Sequence, residues 1–152
     1  MKNLYSPSML KSYLSCKYTI FNEVNEKKLN LKKIELSKND QLRLEKGNIH
    51  EKEYLKELKK KYKKVIDLKN SKLSKEEKVP KTIQAMKEGW EVIHGGYLKR
   101  DNWRGEFDFL IINKDLKSKF GDYSYEVIDT KNSNKPKPDH IIQLGMYTYM
   151  LE

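Results

Sequence analysis

The sequence predicts an α/β fold, a mixed β-sheet flanked by helices. Three observations lead there. Helical apolar periodicity dominates the first 63 residues. Three strand-like stretches, 90–99, 103–113 and 123–130, then run together instead of alternating regularly with helices. A last helical segment, 140–151, closes the chain.

The elements follow in order. Met9, Leu10, Tyr13, Leu14 and Tyr18 form an approximate i, i+3, i+4 stripe, which predicts a helix over 8–21. Ser8 suits its N-cap, with Ser6 as the other candidate. Residues 22–39 are polar without a clean period and read as loop or weak helix. Leu42, Ile49, Tyr54, Leu55, Leu58 and Tyr62 predict a long amphipathic helix over 40–63. Val65 to Leu68 is a short strand, and 70–79 an exposed connection. A short helix runs from Pro80 to about Lys87, with Gly89 at its C′ position. Arg100-Asp101-Asn102 turns between the first two of the grouped strands. Residues 115–122 read as a loop, and 132–138, with two prolines, as irregular.

Length and composition narrow the function classes. At 152 residues and 18.1 kDa the chain reads as one domain, 1–152, with a helical part to about 63 and a sheet-bearing core over 64–152. No apolar run is long enough to span a membrane, and the N-terminus has no secretory h-region. The single cysteine, Cys16, excludes an internal disulfide framework, a Cys-rich zinc site and a self-contained iron–sulfur cluster. It reads as a small buried residue. The expected compartment is the cytoplasm. The formal charge of +10 suggests nucleic acid, yet only three of the 32 basic residues are Arg, and a Lys-rich composition is a weak pointer. The charge is also uneven. Residues 1–100 hold 25 basic and 13 acidic residues, and residues 101–152 hold 7 and 9.

The acidic third contains the chemistry. Alternation along a strand puts Asp129 and Lys131 on one face, with Ile128 on the other. It likewise puts Glu106 and Asp108 on one face, opposite Phe107 and Phe109. If the two strands are neighbours, Asp108 and Asp129 meet. Carboxylates held together among apolar residues are costly unless a cation joins them. Mg²⁺ takes one or two carboxylates, waters and phosphate oxygens. Lys131 beside them would orient a water or stabilise phosphoryl charge. The alternative for Asp-x-Lys alone is a surface ion pair at a strand end. The Lys59-Lys60-Lys61, Lys63, Lys64 run is a solvated face, or a basic flank that helps a phosphate backbone approach the acidic site. His94 reads as structural.

Taken together, these motifs resemble the RecB-like branch of the PD-(D/E)XK nuclease superfamily. Gly105 to Asp108 matches the first acidic motif, Asp129-Thr130-Lys131 the Asp/Glu-x-Lys motif, and Gln143 to Tyr147 the Gln-x-x-x-Tyr helix. Gly47-Asn48-Ile49-His50-Glu51 matches an upstream Gly-x-x-His-Glu helix. Ser8, Leu10, Tyr13 and Cys16 match the family's N-terminal pattern, with Lys17 where proline would stand.

The resemblance implies a restriction-endonuclease-like sheet, here without its last core strand. It implies a Mg²⁺- or Mn²⁺-dependent deoxyribonuclease of the exonuclease type, acting on single-stranded DNA or duplex ends in a process such as DNA repair. Asp108, Asp129, His50 and the Thr130 carbonyl would hold the metal. Asp108, Asp129 and Lys131 would be catalytic, and Gln143 and Tyr147, one helical turn apart, would position substrate. His50 would bind through a neutral imidazole nitrogen, the alternative being an ordinary helix histidine. Glu51 points about 100° away from it and is left out of the metal's ligands. Some relatives hold an iron–sulfur cluster through an N-terminal cysteine and three more downstream. No such cluster is expected in this chain. Because the last helix is still running at Glu152, the chain is also expected to be a truncated domain, or one completed by a helicase-type partner. The expectation from a different class is a non-catalytic nucleic-acid-binding or assembly module.

Overall fold

The computed structural model describes residues 4–131, 133 and 135–152, so Asn132 and Asn134 of the predicted irregular segment lie outside the described residues. The Ser6 hydroxyl accepts the Met9 N–H at 3.1 Å and starts α1 (Pro7–Ser15), so Ser6 rather than Ser8 is the cap. Cys16 takes an extended backbone, φ −160° and ψ 111°, which splits the predicted first helix. The chain continues as α2 (Lys17–Asn25). Cys16 sits at this outward corner and is exposed, not buried as expected. Ser37 caps α3 (Lys38–Lys61) by accepting from Asp40 N at 3.2 Å.

β1 (Val65–Asp67) leads to α4 (Lys75–Lys87), which begins five residues before the predicted start at Pro80. A reciprocal capping box sets that start. Ser74 Oγ accepts from Glu77 N at 3.3 Å, and Glu77 Oε2 accepts from Ser74 N at 2.8 Å. α4 ends as predicted on Gly89, whose φ of +66° lets Trp90 N reach Ala85 O at 3.1 Å.

The two long strands predicted over 90–113 are four: β2 (Val92–His94), β3 (Tyr97–Arg100), β4 (Trp103–Glu106) and β5 (Phe109–Asn113). The break is made by Gly95-Gly96 facing Phe107-Asp108. Gly95 N donates to Asp108 O at 2.8 Å, and Phe107 N to Gly96 O at 3.2 Å. Gly95 has φ +62°, and a Cβ there would stand 2.2 Å from Lys69 Cβ. The break also overturns the predicted alternation. Phe107 packs with Leu98 and Leu110, whereas Phe109 packs with Leu55 and Val92, so the two rings sit in different clusters. β6 (Ser124–Ile128) and α5 (Pro138–Leu151) complete the chain.

The sheet is mixed, with order β1-β2-β5-β6. β1 and β2 are parallel, and the other neighbours are antiparallel. β3 and β4 form a separate hairpin, to which Tyr5 adds a bridge at Trp103. Among the described residues β6 pairs with β5 alone. Leu55 and Leu58 of α3 cover one face of the sheet through Val92 and Phe109. Ala85 and Met86 of α4, with Tyr147 and Met150 of α5, cover the other through Ile93, Leu110 and Tyr125. Val92, Ile93, Phe109 and Leu110 have no exposed surface, and each contributes roughly 1.5–3 kcal/mol of burial. No described helix is long and apolar enough to cross a membrane.

Candidate active site

The register gathers the titratable residues. Asp67 aligns with His94, His94 with Phe109, and Phe109 with Ile128. The ends of β1, β2 and β6 and the start of β5 therefore lie at one end of the sheet. Asp108 precedes that row and Asp129 follows it. Two polar clusters form there.

The first holds the predicted carboxylates. Asp108 Oδ2 accepts from Thr130 N at 2.8 Å and from Thr130 Oγ1 at 2.9 Å. Thr130, expected to offer its carbonyl, thus also fastens the end of β6 to Asp108. Burial pushes the Asp108 carboxyl above its ordinary value. The bonds from Thr130 oppose this, and the charges of Asp129 and Glu51 reinforce it. The Asp129 side chain is 5% exposed, and its Oδ2 lies 2.6 Å from Lys131 Nζ. That approach lacks the alignment of a hydrogen bond, so among the described residues no donor bonds to the buried Asp129 Oδ2. Tyr147, buried on α5, donates its hydroxyl to Glu106 O and so braces the β4–β5 bend. Burial raises its phenol, as do the charges of Asp108 and Asp129, while Gln143 one turn earlier bonds to it and opposes the shift. Asp108, Asp129, Lys131, Gln143 and Tyr147 therefore share one neighbourhood.

His50 does not join them. It is exposed on α3, and Glu51 is the residue turned inward. Glu51, Leu55 and Leu58 form the buried side of α3, and packing of the two leucines against the sheet turns His50 about 100° away. Glu51 builds the second cluster. Its carboxylate accepts from Lys69 Nζ at 2.6 and 2.7 Å and meets His94 Nε2 at 2.8 Å. The other His94 nitrogen, Nδ1, meets Asp67 Oδ1 at 2.9 Å, and the ring stacks on Phe109 with centroids 4.7 Å apart. Asp67 also accepts from the backbone of Lys69 and Asn70. Sequence reasoning set Glu51 aside and treated His94 as structural. One signal was available: Asp67-Leu68-Lys69 is a second Asp-x-Lys at a strand end.

The basic run lies elsewhere. Lys63 N and Lys64 N donate to Glu91 Oε2, next to the start of β1, while the site lies beyond the end of β1. Lys59 to Lys64 thus occupy the opposite end of the sheet from Asp108 and do not flank it.

The donor set suits a hard divalent cation in one respect. Among the described residues Asp129 Oδ2 is buried with no hydrogen bond, and Asp108 is a destabilised carboxylate beside it. Lys131 already meets Asp129, and a divalent cation would offset the charge that Asp108 adds. Among the described residues no group of three His, Cys, Asp or Glu side chains is arranged to hold a metal. Two carboxylates are nevertheless what Mg²⁺ commonly takes from protein, the rest coming from water and phosphate. Zinc or calcium would need more. No known protein family matches this chain, and no curated protein or solved structure does so either.

Proposed function

We propose that this chain is a Mg²⁺- or Mn²⁺-dependent nuclease of the RecB-like kind that hydrolyses DNA phosphodiester bonds. The observation that carries the reading is the buried Asp129 Oδ2, without a hydrogen bond among the described residues, beside a carboxyl of raised affinity for protons and with an ammonium 2.6 Å away. Asp108 and Asp129 would hold the ion, with the Thr130 carbonyl as a further oxygen. When bound, the ion supplies charge neutralisation at the scissile phosphate and a more acidic water. The Lys131 ammonium, two residues beyond Asp129, orients the water that attacks phosphorus in line with the leaving oxygen. Thr130 holds Asp108 in position through two bonds. Tyr147 fixes the bend that presents Asp108, and Gln143 offers its amide to the substrate strand. Glu51, held by Lys69 and His94, adds negative charge near Asp108, and the Lys69 ammonium moderates the repulsion there.

The test uses the purified chain with linear single- and double-stranded DNA in Mg²⁺, Mn²⁺ or EDTA. The expected result is cleavage that EDTA abolishes and that falls at least about 100-fold in Asp108→Ala and Lys131→Ala. Salt-sensitive binding without cleavage in any metal would replace the enzyme with a non-catalytic nucleic-acid-binding module.

A further inference from the structure

Exposed apolar residues are not spread evenly over this molecule. Among the described residues, ten of the seventeen exposed large hydrophobics fall between residues 18 and 49, and four fall between 50 and 152. Tyr18, Phe21 and Val24 lie three apart and share one side of α2. Ile34, in the connection to α3, is 94% exposed, and Leu42 and Ile49 lie two turns apart on α3. The buried residues of α3, namely Glu51, Leu55 and Leu58, all belong to its second half. Its first thirteen residues form roughly 20 Å of helix with none of them buried. α2, the 26–37 connection and the first half of α3 thus make an apolar arm that the rest of the fold leaves uncovered. Monomeric soluble proteins rarely leave so much apolar surface bare.

Charge selects among the possible covers. Residues 18–49 hold seven basic and five acidic residues, and the molecule as a whole carries +10. Some of the arm's charges are paired within it, Lys33 with Glu26 at 3.2 Å and Arg43 with Asp40 at 3.8 Å. Nucleic acid would select a strongly basic surface with aromatic faces. This surface is nearly balanced and largely aliphatic. Balanced, mixed-sign charge is what an isologous contact needs, because the same strip must face itself without repulsion. The area also suffices. At roughly 200 Å² for each fully exposed large side chain, Tyr18, Phe21, Val24, Ile34, Leu42 and Ile49 expose on the order of 700 Å² per chain, to which the polar residues between them add. A standard interface takes about 800 Å² from each partner.

We infer that this arm is the surface on which two copies of the chain pair. The inference stands apart from the nuclease reading, since none of its residues belongs to the carboxylate site. Sedimentation equilibrium of the full chain from about 1 to 200 μM, at low and high salt, tests it. The expected result is a monomer–dimer equilibrium that survives high salt. Val24→Asp with Ile34→Asp should weaken it at least about tenfold, with unchanged circular dichroism and melting, because both side chains are mostly in solvent. A monomer throughout the range would overturn the inference. So would a dimer that the double variant leaves intact, or one that salt alone dissolves. A monomer whose retention of single-stranded DNA falls in the variant would assign the arm to nucleic acid instead.

Discussion

Replacing His94 with Ala should remove the joint between α3 and the end of the sheet. The residue is 2% exposed, and each ring nitrogen meets a carboxylate, Glu51 at 2.8 Å and Asp67 at 2.9 Å. Hydrogen bonds to charged groups contribute about 1.5–3 kcal/mol each. Glu51 keeps Lys69, and Asp67 keeps Asn70, so neither carboxylate is stranded. The expected loss is about 3–5 kcal/mol, including the lost stacking on Phe109. For a chain of this length that lowers Tm by about 6–20 °C. Urea unfolding followed by tryptophan fluorescence measures it. The acid limb gives a second readout. Burial pushes the Glu51 carboxyl up, but bonds from His94 and Lys69 outweigh it and leave the group below its ordinary 4.5. Asp67 is likewise lowered from 3.8, with bonds from Asn70 and His94 outweighing burial. A carboxyl lowered in the folded state stabilises above its unfolded value and loses that stabilisation as pH falls through the folded one. The wild type should therefore lose stability as pH drops below 4.5, and His94→Ala should show a flatter limb. A loss under about 1 kcal/mol with an unchanged limb would refute the joint.

Asp108→Asn should raise Tm at pH 7 in EDTA. Asp108 is raised in the folded state, so ionising it there costs stability that is absent below pH 3.8 and grows until the pH passes the folded value. The asparagine oxygen still accepts from Thr130, and the gain should vanish below pH 3.8, as thermal scans across pH would show. Two glycines should answer in opposite directions to urea unfolding. Gly95→Ala combines a φ of +62° with a Cβ 2.6 Å from Lys69 Cα and should cost at least about 2 kcal/mol. Gly47→Ala enters open space on α3 and should add about 0.8–1 kcal/mol.

Much of the fold was legible because local rules governed it. Gly89 ended α4 where expected, and the Arg100-Asp101-Asn102 turn formed, with Asp101 at φ 52°. Other boundaries carry weaker local signals. The Ser74–Glu77 capping box starts α4 before Pro80, although the proline is the louder punctuation. The Gly95-Gly96 pair marks a break in what reads as one strand. Of the site, Asp129 and Lys131 needed only strand alternation, and Gln143 and Tyr147 only one helical turn. His50 and Glu51 were not separable in that way, because α3 carries apolar residues on more than one side, Leu44 and Ile49 as well as Leu55 and Leu58.

The element types, the single cysteine, the uneven charge and the short-range pairings of the acidic third are all legible along the chain. Periodicity and spacing act within a few residues and can be read along one segment. Long-range packing set which side of α3 faces the sheet and brought Glu51 to His94 across 43 positions. It also carried the lysine run to the far end of the sheet from the carboxylates. Those outcomes depend on long-range packing. Leu55 and Leu58 seat on Val92 and Phe109, and that burial chooses a rotation of α3 that no local rule contains.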